Sequence, residues 1–137
     1  AFKEGRRPVG TALVRELILS GKIFKIKDLG EDGLENAKAY PNGENGEAGM
    51  YMVYFRPTDS DDSRLAPICL GHELIHVWRF ATIPGATDGT MSPRGYTFEE
   101  VYTVGLCPWR YNYVYTENML RAEHGLRPRV RYTPKPN

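Results

Sequence analysis

Apolar residues recur at helical spacing near the start of the chain. From Pro8 to Ser20 an apolar side chain returns every fourth position, as at Val9, Leu13 and Leu17. This spacing places them on one face of an α-helix, and Gly21 is a residue type that ends helices. The pattern therefore predicts a first helix with one buried face.

Two strands are predicted after this helix. Lys22 to Lys27 alternates apolar and lysine side chains, which is the period of a half-buried strand. Asp28 to Gly49 is rich in Gly, Asn, Asp and Glu, so it predicts a loop with turns. Met50 to Phe55 is apolar and aromatic throughout and predicts a second strand. That strand fits either a plain core position or a sheet edge over a cleft, where an extended substrate can add to it.

Three helices are predicted in the second half. Pro67 to Ala81 carries an apolar stripe, and proline suits the first turn of a helix. Thr97, with a glutamate three residues later, predicts a capped helix that ends at Gly105. Thr116 caps a last short helix that reaches His124. The order α, β, β, α, α, α predicts an α+β fold.

The size of the chain, 137 residues, fits one domain, and its apolar and charged fractions of 41% and 26% are ordinary. We therefore expect a single domain over residues 1–137. A net charge of +1 gives no case for a nucleic-acid partner, and no apolar run is long enough to span a membrane. The first residue is Ala rather than Met, so we expect a processed chain, a trimmed one, or the C-terminal toxin part of a longer protein.

The sequence His72-Glu73-Leu74-Ile75-His76 is an HExxH motif. Side chains four apart on a helix lie one above the other, so both imidazoles can reach one metal ion, and zinc suits neutral histidine. Glu73 points beside that ion, where a general base that activates water belongs. The alternative is two ordinary histidines on an amphipathic helix.

A catalytic zinc needs a third protein ligand. His124 is the one remaining histidine, but Glu99 and Glu100 are stronger candidates because they lie on a helix downstream of the motif. Both also fit a simpler role as acids that complement the helix dipole. Cys69 precedes the first histidine by three residues and is either a fourth ligand or a small buried side chain. If Cys69 and Cys107 are both free thiols, they indicate a reducing cytosol.

Three ordered motifs resemble a known family. They are Gly71–Val77, the run Phe98–Gly105, and the segment Thr116–Leu126. Together they resemble the M91 family of zinc peptidase effectors, which includes the NleD-type proteins that bacteria inject into host cells. The resemblance covers roughly Met50 to Tyr132 and implies a compact zincin-like fold. It also implies secretion, action as a monomer in the target-cell cytosol, and a protein substrate there, with a host mitogen-activated kinase as a candidate.

The HELIH sequence and the Phe-Glu-Glu pair are similar, more distantly, to clostridial neurotoxin light chains. That pattern implies Glu99 as the third zinc ligand, with Glu100 as an outer acid that pairs with an arginine such as Arg121. Arg110 and Tyr113 repeat an Arg-x-x-Tyr spacing of the same pattern and are candidates for stabilising the oxyanion, as is Arg121. Aromatic packing and a structural salt bridge are the simpler roles for these residues. The chain is much shorter than a neurotoxin light chain, so a SNARE substrate is not implied.

The sequence therefore predicts a zinc endopeptidase with Glu73 as general base. A non-catalytic zinc-binding interaction domain is the alternative, although a structural site needs no base beside its metal. A metal-dependent hydrolase of non-peptide substrates is a third possibility that the motif alone leaves open.

Overall fold

This computed structural model describes residues 7–30, 37–41, 50–56, 66–83, 86, 97–106 and 115–132. None of the helices among these residues is long and apolar enough to cross a membrane. Within these ranges the chain forms four helices and three strands, which confirms the predicted α+β class. Their order is α1 (Pro8–Leu19), β1 (Ile23–Asp28), β2 (Lys38–Tyr40), β3 (Met50–Phe55), α2 (Ala66–Thr82), α3 (Phe98–Val104) and α4 (Glu117–Glu123).

The three strands form a sheet with the order β1-β3-β2. β1 pairs with β3 in parallel, with Ile23 opposite Met50, and β2 pairs with β3 antiparallel, with Lys38 opposite Tyr54. β3 is thus the central strand of the described sheet, which confirms the core position and contradicts the sheet-edge alternative. A continuous apolar run is typical of a strand with neighbours on both sides. β2 lies inside the predicted loop, because three residues are too few to give a strand period.

Helix α2 is the centre of the packing and contacts β2, β3 and the other three helices. Seven consecutive residues, Gly71 to Val77, are buried, so both the apolar stripe and the polar residues of HExxH are shielded from solvent. An apolar core surrounds α2 on the sheet side and the α1 and α4 sides. Its buried members are Leu13, Leu17, Tyr51, Val53, Ile68, Leu74, Ile75, Val77, Tyr115 and Leu120.

The predicted helix caps of the second half are confirmed. The Thr97 hydroxyl accepts a hydrogen bond from the Glu100 amide, and the Thr116 hydroxyl accepts one from the Met119 amide. Gly105 ends α3 with a φ of 93°, a left-handed conformation that favours glycine. These caps fix where α3 and α4 begin, and both helices carry functional carboxylates in the first turn.

A close approach between α2 and α4 depends on Gly71. A Cβ built on Gly71 would lie 2.4 Å from a methyl carbon of Leu120, far closer than carbon atoms pack. The glycine that precedes the first motif histidine therefore lets α4 lie directly against α2. This contact brings the first turn of α4 to the back of His72.

Candidate metal centre

The two motif histidines meet at their Nε2 atoms. His72 and His76 are both buried on α2, and their Nε2 atoms lie 3.1 Å apart. The two histidines are four residues apart on the helix, and this spacing places them one above the other, as the sequence predicted. Two nitrogen donors therefore converge on one point beside α2.

Glu100 completes a group of three possible ligands. Its carboxylate oxygens lie 3.0 Å from Nε2 of His72 and 2.9 Å from Nε2 of His76. Donor atoms around a tetrahedral zinc ion at roughly 2.0–2.1 Å stand about 3.3 Å apart, so this spacing fits such an ion. Among the described residues, His72, His76 and Glu100 form a group that could hold a metal ion, because their ligand atoms all lie within 4.8 Å of one another. We call these three residues the ligand group. The structure thus moves the candidate third ligand from Glu99 to Glu100.

Glu99 lies on the Nδ1 side of His76 and also lines the cavity next to the ligand group. Its Oε1 atom accepts a hydrogen bond from Nε of Arg79 at 2.6 Å and lies 3.6 Å from Nδ1 of His76. Thr103 lies between them, with its hydroxyl 3.2 Å from that Nδ1 and 3.5 Å from Oε1 of Glu99. Consecutive residues of a helix point about 100° apart, and here Glu100 faces the Nε2 atoms while Glu99 faces Nδ1 of His76. The geometry thus favours Glu100 over Glu99 as the candidate third ligand.

Glu117 supports His72 in the same way and was not predicted from the sequence. Its side chain is fully buried, and Oε1 accepts a hydrogen bond from Nδ1 of His72 at 2.8 Å. Arg129 donates to the same oxygen at 2.9 Å, and Arg121 donates to the other oxygen at 3.4 Å. The sequence signal was an acid directly after the capping Thr116, and such an acid is ordinary in a first helical turn.

Arg121, the third arginine or tyrosine predicted to act at the oxyanion, lies in a buried network around Glu117. It is buried, pairs with Glu117, and donates from Nε to the carbonyl oxygen of Arg127 at 2.6 Å. The expected pairing of Arg121 with Glu100 is not what the structure has. The other two oxyanion candidates, Arg110 and Tyr113, lie outside the described residues.

The remaining sequence candidates do not join the described ligand group. Cys69 is a buried free cysteine, in agreement with the simpler role as a small core side chain. His124 hydrogen-bonds through Nδ1 to the carbonyl oxygen of Leu120 at the end of α4. Cys107 lies outside the described residues.

The carboxylates around the histidines favour positive charge at this point. Burial works to lower the pKa of His76, but hydrogen bonds to Glu100 and Glu99 outweigh it and raise the pKa to about 10. For His72, burial is likewise outweighed, by hydrogen bonds to Glu100 and Glu117, and the pKa is raised. Burial would raise the pKa of Glu100, yet the two imidazoles hold it well below its usual range. A metal cation bound at the Nε2 atoms would take the place of these protons.

Glu73 and His76 line a cavity of about 420 Å³. Glu73 is buried, and its carboxylate makes no side-chain hydrogen bond or ion pair with any described residue. Tyr132 also lines this cavity, and its ring centre lies 6.4 Å from that of His72. The cavity is further lined by β2, Phe80, Ala86, Thr97, Glu99 and Glu100. A small molecule or an extended peptide can therefore reach Glu73 and the ligand group together.

The comparison with protein families confirms the resemblance carried by the three motifs. A family model for peptidase M91, described as an effector protein, matches residues 4–132. Neither a curated protein nor a solved structure matches the chain significantly. The family match spans nearly the whole chain, from before α1 to the end of the described residues, and is not confined to the HExxH helix. The chain belongs to the peptidase M91 family of effector proteins.

Proposed function

We propose that this protein is a zinc-dependent endopeptidase that acts on a protein of a target cell. The observation that carries the proposal is the placement of Glu73. Its buried carboxylate lines the cavity beside the three-ligand group, and no described residue makes a side-chain hydrogen bond to it. A carboxylate in that position is free to accept a proton from a water molecule, as a general base must be.

The ligand group consists of His72, His76 and Glu100, the arrangement of catalytic zinc sites with one position left open. When bound, zinc supplies a Lewis acid that polarises a carbonyl group and makes water a stronger acid. Glu73 takes the proton from the attacking water and then delivers it to the nitrogen of the leaving amine. Tyr132 lines the same cavity, and we assign to it the hydrogen bond that stabilises the oxyanion of the intermediate.

A catalytic site explains the ligand group better than a structural zinc site does. Structural zinc is usually held by four protein ligands, often cysteines. Here the group has three members among the described residues, and Cys69 is buried apart from it. A non-catalytic domain would also have no use for an open cavity at the metal and a carboxylate that faces it.

The cavity indicates a peptide substrate in an extended conformation. One wall is formed by β2, the edge strand among the described strands, and main-chain groups of such a strand can pair with an extended chain. Membership of an effector family supports secretion and action inside a target cell. The resemblance to NleD-type proteins makes host mitogen-activated kinases the first substrates to test.

The decisive experiment compares the wild-type protein with Glu73→Gln. We expect the variant to keep its fold and bound zinc but to lose cleavage, because glutamine has almost the same shape and cannot accept the proton. General-base catalysis contributes about 10²–10⁴-fold, so the cleavage rate should fall by at least about 10²-fold. Cleavage is read by mass spectrometry of new chain termini in a host-cell lysate and in a panel of purified kinases.

Tyr132→Phe serves as the graded control in the same assay. It removes one hydroxyl from the cavity wall, so it should lower turnover less than Glu73→Gln does and leave zinc content unchanged. Wild-type cleavage by the Glu73→Gln protein would overturn the proposed mechanism. Absence of bound zinc in the wild-type protein, measured by elemental analysis, would overturn the metal assignment.

A further inference from the structure

The segment after α4 turns back and lies along that helix. We call residues Leu126 to Tyr132 the C-terminal strap. Its start is fixed by the Leu126 amide, which donates to the carbonyl oxygen of Arg121 at 2.8 Å. Its middle is held by Asn118, and its end, Tyr132, lines the cavity beside the ligand group. The strap thus runs from the end of α4 to the site where the chemistry is proposed.

Asn118 holds the strap by two hydrogen bonds from its side-chain amide to the main chain of Arg129. Its Nδ2 atom donates to the carbonyl oxygen of Arg129 at 3.0 Å, and its Oδ1 atom accepts from the Arg129 amide at 2.7 Å. A side-chain amide can make this pair of bonds because it carries a donor and an acceptor side by side. Both main-chain groups of Arg129 are therefore fixed to α4.

The Arg129 side chain connects this pair of hydrogen bonds to the ligand group. Its guanidinium donates to Oε1 of Glu117, the same oxygen that accepts the hydrogen bond from Nδ1 of His72. The guanidinium carbon also lies 5.4 Å from the ring centre of Tyr132. One side chain thus contacts both the partner of a metal ligand and the tyrosine of the cavity wall.

We propose that Asn118 is a positioning residue that sets the orientation of His72 and Tyr132 through the C-terminal strap. Asn118 does not belong to the ligand group or the cavity lining. It acts by fixing the main chain of Arg129, whose guanidinium then holds Glu117 and packs on Tyr132. This inference rests on the proposed zinc centre, because it concerns the histidine that would bind the ion.

Asn118→Ala removes both hydrogen bonds to the strap and leaves every ligand in place. Loss of a direct outer partner of a metal ligand lowers metal affinity about 10–100-fold. Asn118 acts one step further out, so we expect zinc affinity to fall about threefold to tenfold. The affinity is measured for zinc alone, by competition with a chromophoric chelator at fixed pH and salt.

Glu123→Ala is the matched control on the same helix. Glu123 accepts hydrogen bonds from the amides of Val9 and Gly10 and so ties α4 to the start of α1, away from the strap. Both variants should lower the unfolding temperature of the zinc-free protein, but only Asn118→Ala should weaken zinc binding. The absorption spectrum of the cobalt(II)-substituted protein should change only for Asn118→Ala, because it reports the ligand geometry and not the overall stability.

Asn118→Asp gives a second variant. Aspartate still accepts from the Arg129 amide, but its second oxygen faces the Arg129 carbonyl oxygen and repels it, so zinc affinity should again fall at least about threefold below wild type. It also tests the proposal if Asn118→Ala does not fold. Zinc affinity within twofold of wild type in the folded Asn118 variants, or equal losses in Glu123→Ala, overturns the role of Asn118 and leaves the zinc centre standing. A wild-type protein that binds no zinc overturns both.

Discussion

The two sides of the metal centre are built differently, although each supports one histidine. On the α3 side, Glu100 faces the ligand group while Glu99 and Thr103 lie behind His76. On the α4 side, Glu117 lies behind His72 and no α4 residue belongs to the ligand group. Helix α3 therefore supplies both a candidate ligand and a supporting network, whereas α4 supplies only the supporting network.

Solvent exposure follows the same division. The Glu100 side chain is 22% exposed, as expected of a group next to an open cavity, and the Glu117 side chain is 0% exposed. Arg121 and Arg129 offset the charge of Glu117, since a buried carboxylate without partners would be strongly destabilising. The α3 side is therefore open to the cavity, while the α4 side is closed to solvent and holds the orientation of His72.

The largest effect on metal binding is expected on the α3 side, from Glu100→Gln. This change replaces a charged ligand with a neutral amide. Loss of an outer partner of a ligand lowers metal affinity by up to about 100-fold, so loss of the ligand itself should lower zinc affinity by more than that. Glu99→Gln, one residue earlier, should have a smaller effect because Glu99 contacts Arg79 and the back of His76. Zinc competition titrations of the two variants provide the measurement. A greater loss in Glu99→Gln would return the ligand role to Glu99.

A smaller effect is expected on the α4 side, from Glu117→Gln. The amide oxygen can still accept from Nδ1 of His72, but the charge that Arg121 and Arg129 pair with is lost. Zinc affinity should fall about 10–100-fold, as for other outer partners of metal-binding histidines. The unfolding temperature should fall as well, because two arginines lose their buried counter-charge. Unchanged zinc affinity together with a lower unfolding temperature would make α4 a purely structural helix.

The sequence predicted the parts of this site that depend on short spacing along one helix. Helix geometry accounts for the four-residue spacing of His72 and His76 and for the position of Glu73 between them. It also accounts for the threonine caps of α3 and α4. It could not separate Glu99 from Glu100, because that choice depends on the rotation of α3 about its own axis. The rotation is fixed by tertiary contacts such as the ion pair between Arg79 and Glu99.

Long-range contacts account for what the sequence left out. Glu117 lies 45 residues after His72, and its approach depends on the contact between Gly71 and Leu120, which no local pattern reports. β2 has three residues, too few for a strand period, and gains its conformation from pairing with β3. The order of the strands, with β3 in the centre, likewise depends on pairing between distant segments.

The smallest expected effect concerns the hydroxyl behind His76, and Thr103→Val tests it. Valine has nearly the same shape as threonine, so the buried α3 packing stays while the bonds to Nδ1 of His76 and to Glu99 are lost. One hydrogen bond contributes about 0.5–1.5 kcal/mol, which corresponds to roughly twofold to twelvefold in zinc affinity. Glu99 lies 3.6 Å from that nitrogen and can take over part of the role, so the loss should stay below that of Glu117→Gln. If Thr103→Val weakens zinc binding more than Glu117→Gln does, the α3 side carries the orientation as well as the ligand, and the division between the two sides is wrong.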